Sequence, residues 1–357
     1  MRRAANLLLS GKRVAIWAGN GVHRSGAAPE LVRLAETLGL PVLTTAAGKG
    51  AIPDDHPLAL GVFGRFQGGW TPGKAENPLR AFFDSLDGLL VVGSSLAYSR
   101  TKAMGLELPA AFVQVDIDDE SIGKLYKPRV EIVGDAKVVL GQLRTTIQGK
   151  STRLAVGFDR EIQSLKGTLM TYWEQAMPNE MRAMEAIRSV AARDAIFVGD
   201  ATVAVHRGAT WCLKTYGSGT YMATQWLGLG FAFPAAAGAK AGLPDRQVIC
   251  LTGDGGFQFN IQELATCVQY GLNPVVILFN DNAWGVLRDL QRDAYKGRLI
   301  GSELKNPDFV KLAESYGVNV AQAHSVEEMI PAIKSALRSD TVSVIEVLTP
   351  DGFSNFR

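Results

Sequence analysis

The stretch Thr252-Gly253-Asp254-Gly255-Gly256-Phe257-Gln258-Phe259-Asn260 stands directly after the apolar run Val248-Ile249-Cys250-Leu251 and directly before a helical pattern that begins near Ile261. Strand, glycine-rich turn and helix in that order form the repeating step of a parallel sheet covered by helices. The step recurs on both sides. Residues 274–279 and 342–347 are further continuous apolar strands, with helical patterns over 261–270, 308–316 and 326–337, and residues 195–199 form a buried strand that ends in Asp200.

The same alternation fills the first part of the chain. Apolar strands at 14–18, 41–45, 88–93, 111–116 and 130–135 are separated by helical patterns that include 28–38 and 136–147. The polar run Gln148-Gly149-Lys150-Ser151-Thr152 breaks this series, and a charged, mostly helical stretch follows it. The chain of 357 residues also exceeds what one hydrophobic core usually serves. The expected fold is therefore α/β, with two doubly wound domains whose mainly parallel sheets are covered by helices: a first domain over 1–150, a linker over 151–180 and a second domain over 181–357.

Composition removes several function classes. Lys and Arg total 37 against 35 Asp and Glu, and the signs are interspersed, so no surface field for nucleic acid or for a membrane is built in. Cys212, Cys250 and Cys267 are odd in number and far apart, which points to free thiols and not to a disulfide framework or a zinc cluster. At the N-terminus Ser10-Gly11-Lys12 interrupts the apolar run before a signal sequence develops. No stretch reaches the roughly 18 to 20 apolar residues of a membrane-spanning helix, and a cytoplasmic location is the expectation.

The opening stretch carries the chemistry. A glycine-rich turn between a strand and a helix lets backbone N–H groups approach a phosphate, and a carboxylate such as Asp254 beside phosphates calls for a hard cation such as Mg²⁺. The next strand ends in Asn280-Asp281-Asn282-Ala283-Trp284-Gly285, so an oxygen-rich tip lies beside that turn, at the end of the sheet where ligands bind. Gly-Asp-Gly alone also reads as an ordinary turn. The pair of tips is what favours a cofactor site.

Gly253-Asp254-Gly255, the helix segment Gln262-Glu263-Leu264-Ala265-Thr266 and the Asn280-Asp281 tip resemble the thiamine-diphosphate-binding motif of the superfamily that includes acetolactate synthase, pyruvate oxidase and benzoylformate decarboxylase. The resemblance implies that Asp254, Asp281 and the Ala283 carbonyl bind Mg²⁺, and that Gly253, Gly255, Gly256, Trp284 and Gly285 adjoin the cofactor. The family usually has Asn-Asn where this chain has Asn280-Asp281, a neutral amide exchanged for a carboxylate, with Asn280 and Asn282 as alternative ligands. Leu229 matches the bulky residue that bends the cofactor so that its 4′-amino group nears C2, and the Leu227 carbonyl matches the acceptor for the aminopyrimidine. Asp200 and Thr202 match residues that touch the diphosphate or line the site. His206 is a candidate substrate contact, with ordinary packing as its other reading, and Trp284 and Leu287 begin a helix that borders the substrate pocket or packs in the core.

Residues 1–150 resemble the family's middle domain, some members of which bind FAD. Gly19-Asn20-Gly21 suits a nucleotide phosphate, but the arginine of the flavin-binding relatives is Ser95 here, so a structural middle domain is expected and FAD is the alternative. Family members usually begin with another domain, which binds the pyrimidine and supplies the activating glutamate, whereas this chain starts at the first helix of the middle domain and has no equivalent Glu. The catalytic group is thus unassigned in this sequence. The resemblance implies a thiamine-diphosphate- and Mg-dependent 2-oxoacid carboligase or decarboxylase, acetolactate synthase-like, acting as a subunit or fragment with a separate pyrimidine-domain chain, a homo-oligomeric assembly, or both. The alternative is a non-catalytic or regulatory binding module on the same scaffold.

Overall fold

The computed structural model describes residues 1–64, 77–224, 228–350 and 352–356. They form two compact units, Met1–Gln175 with Thr215–Gly219, and Ala176–Lys214 with Thr220–Arg357. The charged stretch after residue 150 is the helix Phe158–Ala176, whose Phe158, Ile162 and Leu169 pack in the core of the first unit.

The first unit holds β1 (Val14–Ala18), β2 (Val42–Thr44), β3 (Ala59–Val62), β4 (Gly88–Val92), β5 (Phe112–Asp116) and β6 (Val130–Val133), all parallel and ordered β3-β2-β1-β4-β5-β6. β1 and β4 are buried along their whole length, as continuous apolar runs require at the centre of a sheet covered on both faces. Edge strand β6 alternates instead. Helix Ala28–Leu38 buries Leu31, Leu34, Ala35 and Leu38, one face at helical spacing, and ends where Gly39 takes a left-handed φ of 66°. Helix Ala136–Ile147 starts on the Asp135 carboxylate, which accepts from Val138 N.

The strand order reverses between β1 and β4, and there the chain closes on itself. Gly19 N donates to the Val92 carbonyl at 2.8 Å and Gly21 N to the Gly93 carbonyl at 3.0 Å. A Cβ on Gly21 would lie 2.5 Å from Gly93 Cα, so the glycines of this segment let two backbone turns touch. Those N–H groups serve the protein's own carbonyls.

The second unit holds β7 (Ile196–Gly199), β8 (Tyr221–Ala223), β9 (Val248–Gly253), β10 (Val275–Asn280), β11 (Asn319–Ala323) and β12 (Ser343–Leu348), again all parallel, ordered β11-β12-β10-β9-β7-β8. Central β9 and β10 are buried at every position. Helix Phe309–Ser315 is capped by Asp308, and helix Val326–Ala336 by Ser325, with Glu328 reaching back to His324 N. Both faces of this sheet are thereby covered.

Two differences from the sequence pattern stand out. β3, β8 and β11 were not marked by apolar runs: β3 and β8 are only four and three residues long, and β11 is a polar edge strand with only Ala323 buried. The glycine turn is also shorter than its composition suggests. Helix Asp254–Gln258 begins at the aspartate itself, directly off the extended Gly253 (φ −101°, ψ 164°), and the helix Glu263–Tyr270 follows.

Candidate functional site

The carboxyl ends of β7, β9, β10 and β12 surround a cavity of about 250 Å³ in the second unit. Asp200, Thr202, Leu229, Gly253, Asp254, Gly255, Gly256, Asp281, Ala283, Trp284 and Gly285 all line it. Leu227 lies outside the described residues. His206 and Leu287 are on the wall too, as are Phe279, Thr349, Gly352 and Phe353, of which the last three follow β12 and carried no motif in the sequence.

Asp254 is 2% exposed and is held from three sides. Its Oδ1 accepts from Gly255 N at 2.9 Å, and its Oδ2 from Asn306 Nδ2 at 2.6 Å and from Ala283 N at 3.2 Å. Burial raises its pKa above the usual carboxylate range, while these donors pull it back. The flanking glycines answer to close neighbours. A Cβ on Gly255 would lie 2.3 Å from the Trp284 ring, and one on Gly256 would lie 2.9 Å from Asp200 Oδ2.

The β10 tip is built on a buried polar ladder. Glu346 of β12 is 5% exposed and accepts from Asn280 Nδ2 at 2.7 Å and from Gln322 Nε2 at 2.8 Å. Asn280 Oδ1 in turn accepts from Asn282 N at 3.1 Å, which holds Asn282 in the left-handed region at φ 52°, one that Asn tolerates. Asp281 pairs with Arg288, Nη2 to Oδ2 at 2.6 Å. Burial and the nearby Asp254 charge nonetheless push the Asp281 carboxyl up to about 7.

These atoms suit a hard cation. Among the described residues no three His, Cys, Asp or Glu side chains converge as ligands, so a soft-metal site is not built. What converges is oxygen: the buried carboxyl groups of Asp254 and Asp281, which repel one another, with the Arg288 guanidinium paired to Asp281. That leaves negative charge for a divalent cation to neutralise, and a Mg²⁺ site needs only one or two protein oxygens beside phosphate and water.

Asp200 plays a positioning part. Its Oδ1 accepts from Ala201 N at 2.7 Å, and its Oδ2 from Gly230 N at 3.0 Å and Thr252 Oγ1 at 3.3 Å, which fixes the turn that presents Leu229 to the cavity. Leu229 remains 39% exposed there, a large apolar side chain facing the cavity. His206 sits in the π-helical segment Ala204–Ala209, its carbonyl accepting from Trp211 Nε1 at 3.0 Å. Arg288 and Asn306 carried no signal in the sequence because neither belongs to a motif. Arg288 looks like an ordinary charge on a helix, and Asn306 like part of a helix start.

Comparison with known proteins places these features in a family. Residues 1–143 match the model of the thiamine pyrophosphate enzyme central domain, and residues 198–347 match that of the C-terminal thiamine pyrophosphate binding domain. The chain is 34% identical to a probable acetolactate synthase large subunit of Methanocaldococcus jannaschii, over 98% of this chain and 59% of that protein. It is 32% identical to the acetolactate synthase large subunit of Corynebacterium glutamicum, over 94% of this chain and 54% of the relative. With the Escherichia coli acetolactate synthase isozyme 3 large subunit the identity is 28%, over 99% and 62%. The chain thus spans less than two thirds of the length of these relatives. No helix among the described residues is long and apolar enough to cross a membrane.

Proposed function

Since the chain belongs to the thiamine-diphosphate-dependent enzyme superfamily, we propose that it is the cofactor-binding part of an acetolactate synthase-like carboligase acting on small 2-oxoacids. The observation that carries this reading is the convergence of the Gly253-Asp254-Gly255 turn and the Asn280–Gly285 tip on one cavity. Asp254 and Asp281, with the Ala283 carbonyl, would hold Mg²⁺, and Gly253, Gly255 and Gly256, which line the cavity, would adjoin the diphosphate. Thiamine diphosphate bound there supplies carbanion-stabilising chemistry. The chain's own residues do the rest. Leu229 offers an apolar support, held out by the Asp200 to Gly230 bond. Phe279, Val286, Leu287 and Phe353 give the cavity an apolar wall against which the reacting carbons would lie.

No glutamate lines the cavity among the described residues; in this reading a separate pyrimidine-domain chain supplies the proton donor to the pyrimidine ring. The Gly19 and Gly21 N–H groups serve the Val92 and Gly93 carbonyls, so this reading gives them no nucleotide phosphate to hold. The test supplies the purified chain with thiamine diphosphate, Mg²⁺ and pyruvate, with and without a pyrimidine-domain polypeptide, and measures CO₂ and acetolactate. Turnover that needs the second polypeptide is the expected result. Robust turnover by this chain alone would remove the dependence, and neither turnover nor cofactor binding in any combination would favour a non-catalytic binding module.

A further inference from the structure

A carboxylate has about four lone-pair directions, and three protein donors are aimed at that of Asp254: Gly255 N, Ala283 N and Asn306 Nδ2. Two are backbone groups of the tips that follow β9 and β10. The third is a side chain 52 residues further along, and at 2.6 Å it makes the shortest of the three bonds. The same amide nitrogen lies 2.9 Å from Asn280 Oδ1 and 3.1 Å from Asn282 Oδ1, so its two hydrogens are shared between the carboxylate and the asparagine oxygens of the β10 tip. Its orientation is fixed from behind, since Asn306 Oδ1 accepts from Gln258 Nε2 at 2.9 Å. Asn280 is anchored on the far side by Glu346, which Gln322 also holds. A continuous chain of bonds therefore runs from β11 through β12 and β10 to the residue that follows β9.

We infer that Asn306 is a positioning residue for the cation-binding carboxylate. It sets the Asp254 rotamer and the separation of the two tips, and it leaves one lone-pair direction of Asp254 for a metal. The inference rests on the reading that Asp254 binds the cofactor's cation. Hydrogen-bond partners of metal-binding side chains typically contribute ten- to a hundredfold in metal affinity.

The test measures Mn²⁺ binding by the paramagnetic resonance signal of free Mn²⁺, at saturating thiamine diphosphate, for the wild type, Asn306→Ala and Gln258→Ala, with thermal melts of each in chelator. Asn306→Ala is expected to raise the Mn²⁺ Kd by about tenfold or more. Gln258→Ala keeps the Asn306 to Asp254 bond but removes the group that orients the amide, so it gives a smaller rise in the same direction; it carries the test if Asn306→Ala does not fold. A Kd within about twofold of wild type for every folded variant, whatever the melts do, overturns the positioning role, because a merely structural residue would lower the melt and leave the Kd alone. A wild type that binds no Mn²⁺ fails one step earlier and overturns the cation reading, and the inference with it.

Discussion

Arg288 donates from Nη2 to Asp281 Oδ2 at 2.6 Å, and the two side chains are only 13% and 11% exposed. The pair explains how this chain accommodates a carboxylate where its family usually has an amide. A second buried anion would repel both Asp254 and a diphosphate, and the guanidinium offsets part of it. Removing one partner of a buried pair leaves the other charge uncompensated, at a cost of about 3 kcal/mol or more. Arg288→Leu is therefore expected to lose about that much stability in urea unfolding with chelator present. A loss below about 1 kcal/mol would mean that Asp281 is well solvated.

The same carboxyl has a pH signature. Its folded value of about 7 lies above the roughly 3.9 of an unfolded aspartate, so the folded state binds the extra proton and Asp281 costs stability as pH rises from about 4 to about 7. Asp200, Asp254 and Glu180 are also raised by burial and slope the same way, so the informative quantity is a difference between proteins. Asp281→Asn also leaves Arg288 without its carboxylate, so the prediction concerns the slope: the stability of Asp281→Asn minus that of wild type should shift in the variant's favour by a few kcal/mol as pH rises from about 4 to about 7, and stay level above it. Parallel stability curves for the two proteins would contradict this.

Close packing separates two glycines of similar helical setting. Gly255→Ala drives a methyl into the Trp284 ring, with the nearest ring atom at 2.3 Å, and overpacking of this kind costs about 1 to 3 kcal/mol. Gly238 lies inside helix Ala232–Gly242 with nothing within 4 Å of a built Cβ, so Gly238→Ala should instead gain about 0.5 to 1 kcal/mol. Thermal melts of the two variants check both signs.

The sheets were legible because their central strands are continuous apolar runs, as in Val14–Ala18 and Val275–Asn280, and such runs fit a parallel sheet covered on both sides. Short or polar edge strands, Tyr221–Ala223 and Asn319–Ala323, carry no such signal. Within the site, Asp254 and Asp281 were visible because each directly follows an apolar strand, in a run of turn residues. Asn306 was not. Its Asn-Pro-Asp context reads as the start of helix Phe309–Ser315, and its role exists only where three oxygens of distant segments meet. Arg288 was hidden for a similar reason, since a helix-surface arginine and a partner to Asp281 look alike until the helix Gly285–Ala294 is docked.

The most direct test of the central claim, that this cavity holds thiamine diphosphate through a divalent cation on Asp254, is a calorimetric titration of the cofactor into the wild type and into Asp254→Ala, with Mg²⁺ and with chelator. Saturable binding by the wild type only when Mg²⁺ is present, at hundredfold Kd adding about 2.7 kcal/mol to unfolding stability, and no binding by Asp254→Ala, is the predicted result. Equal cofactor affinity of wild type and Asp254→Ala, or wild-type binding unaffected by chelator, would contradict it.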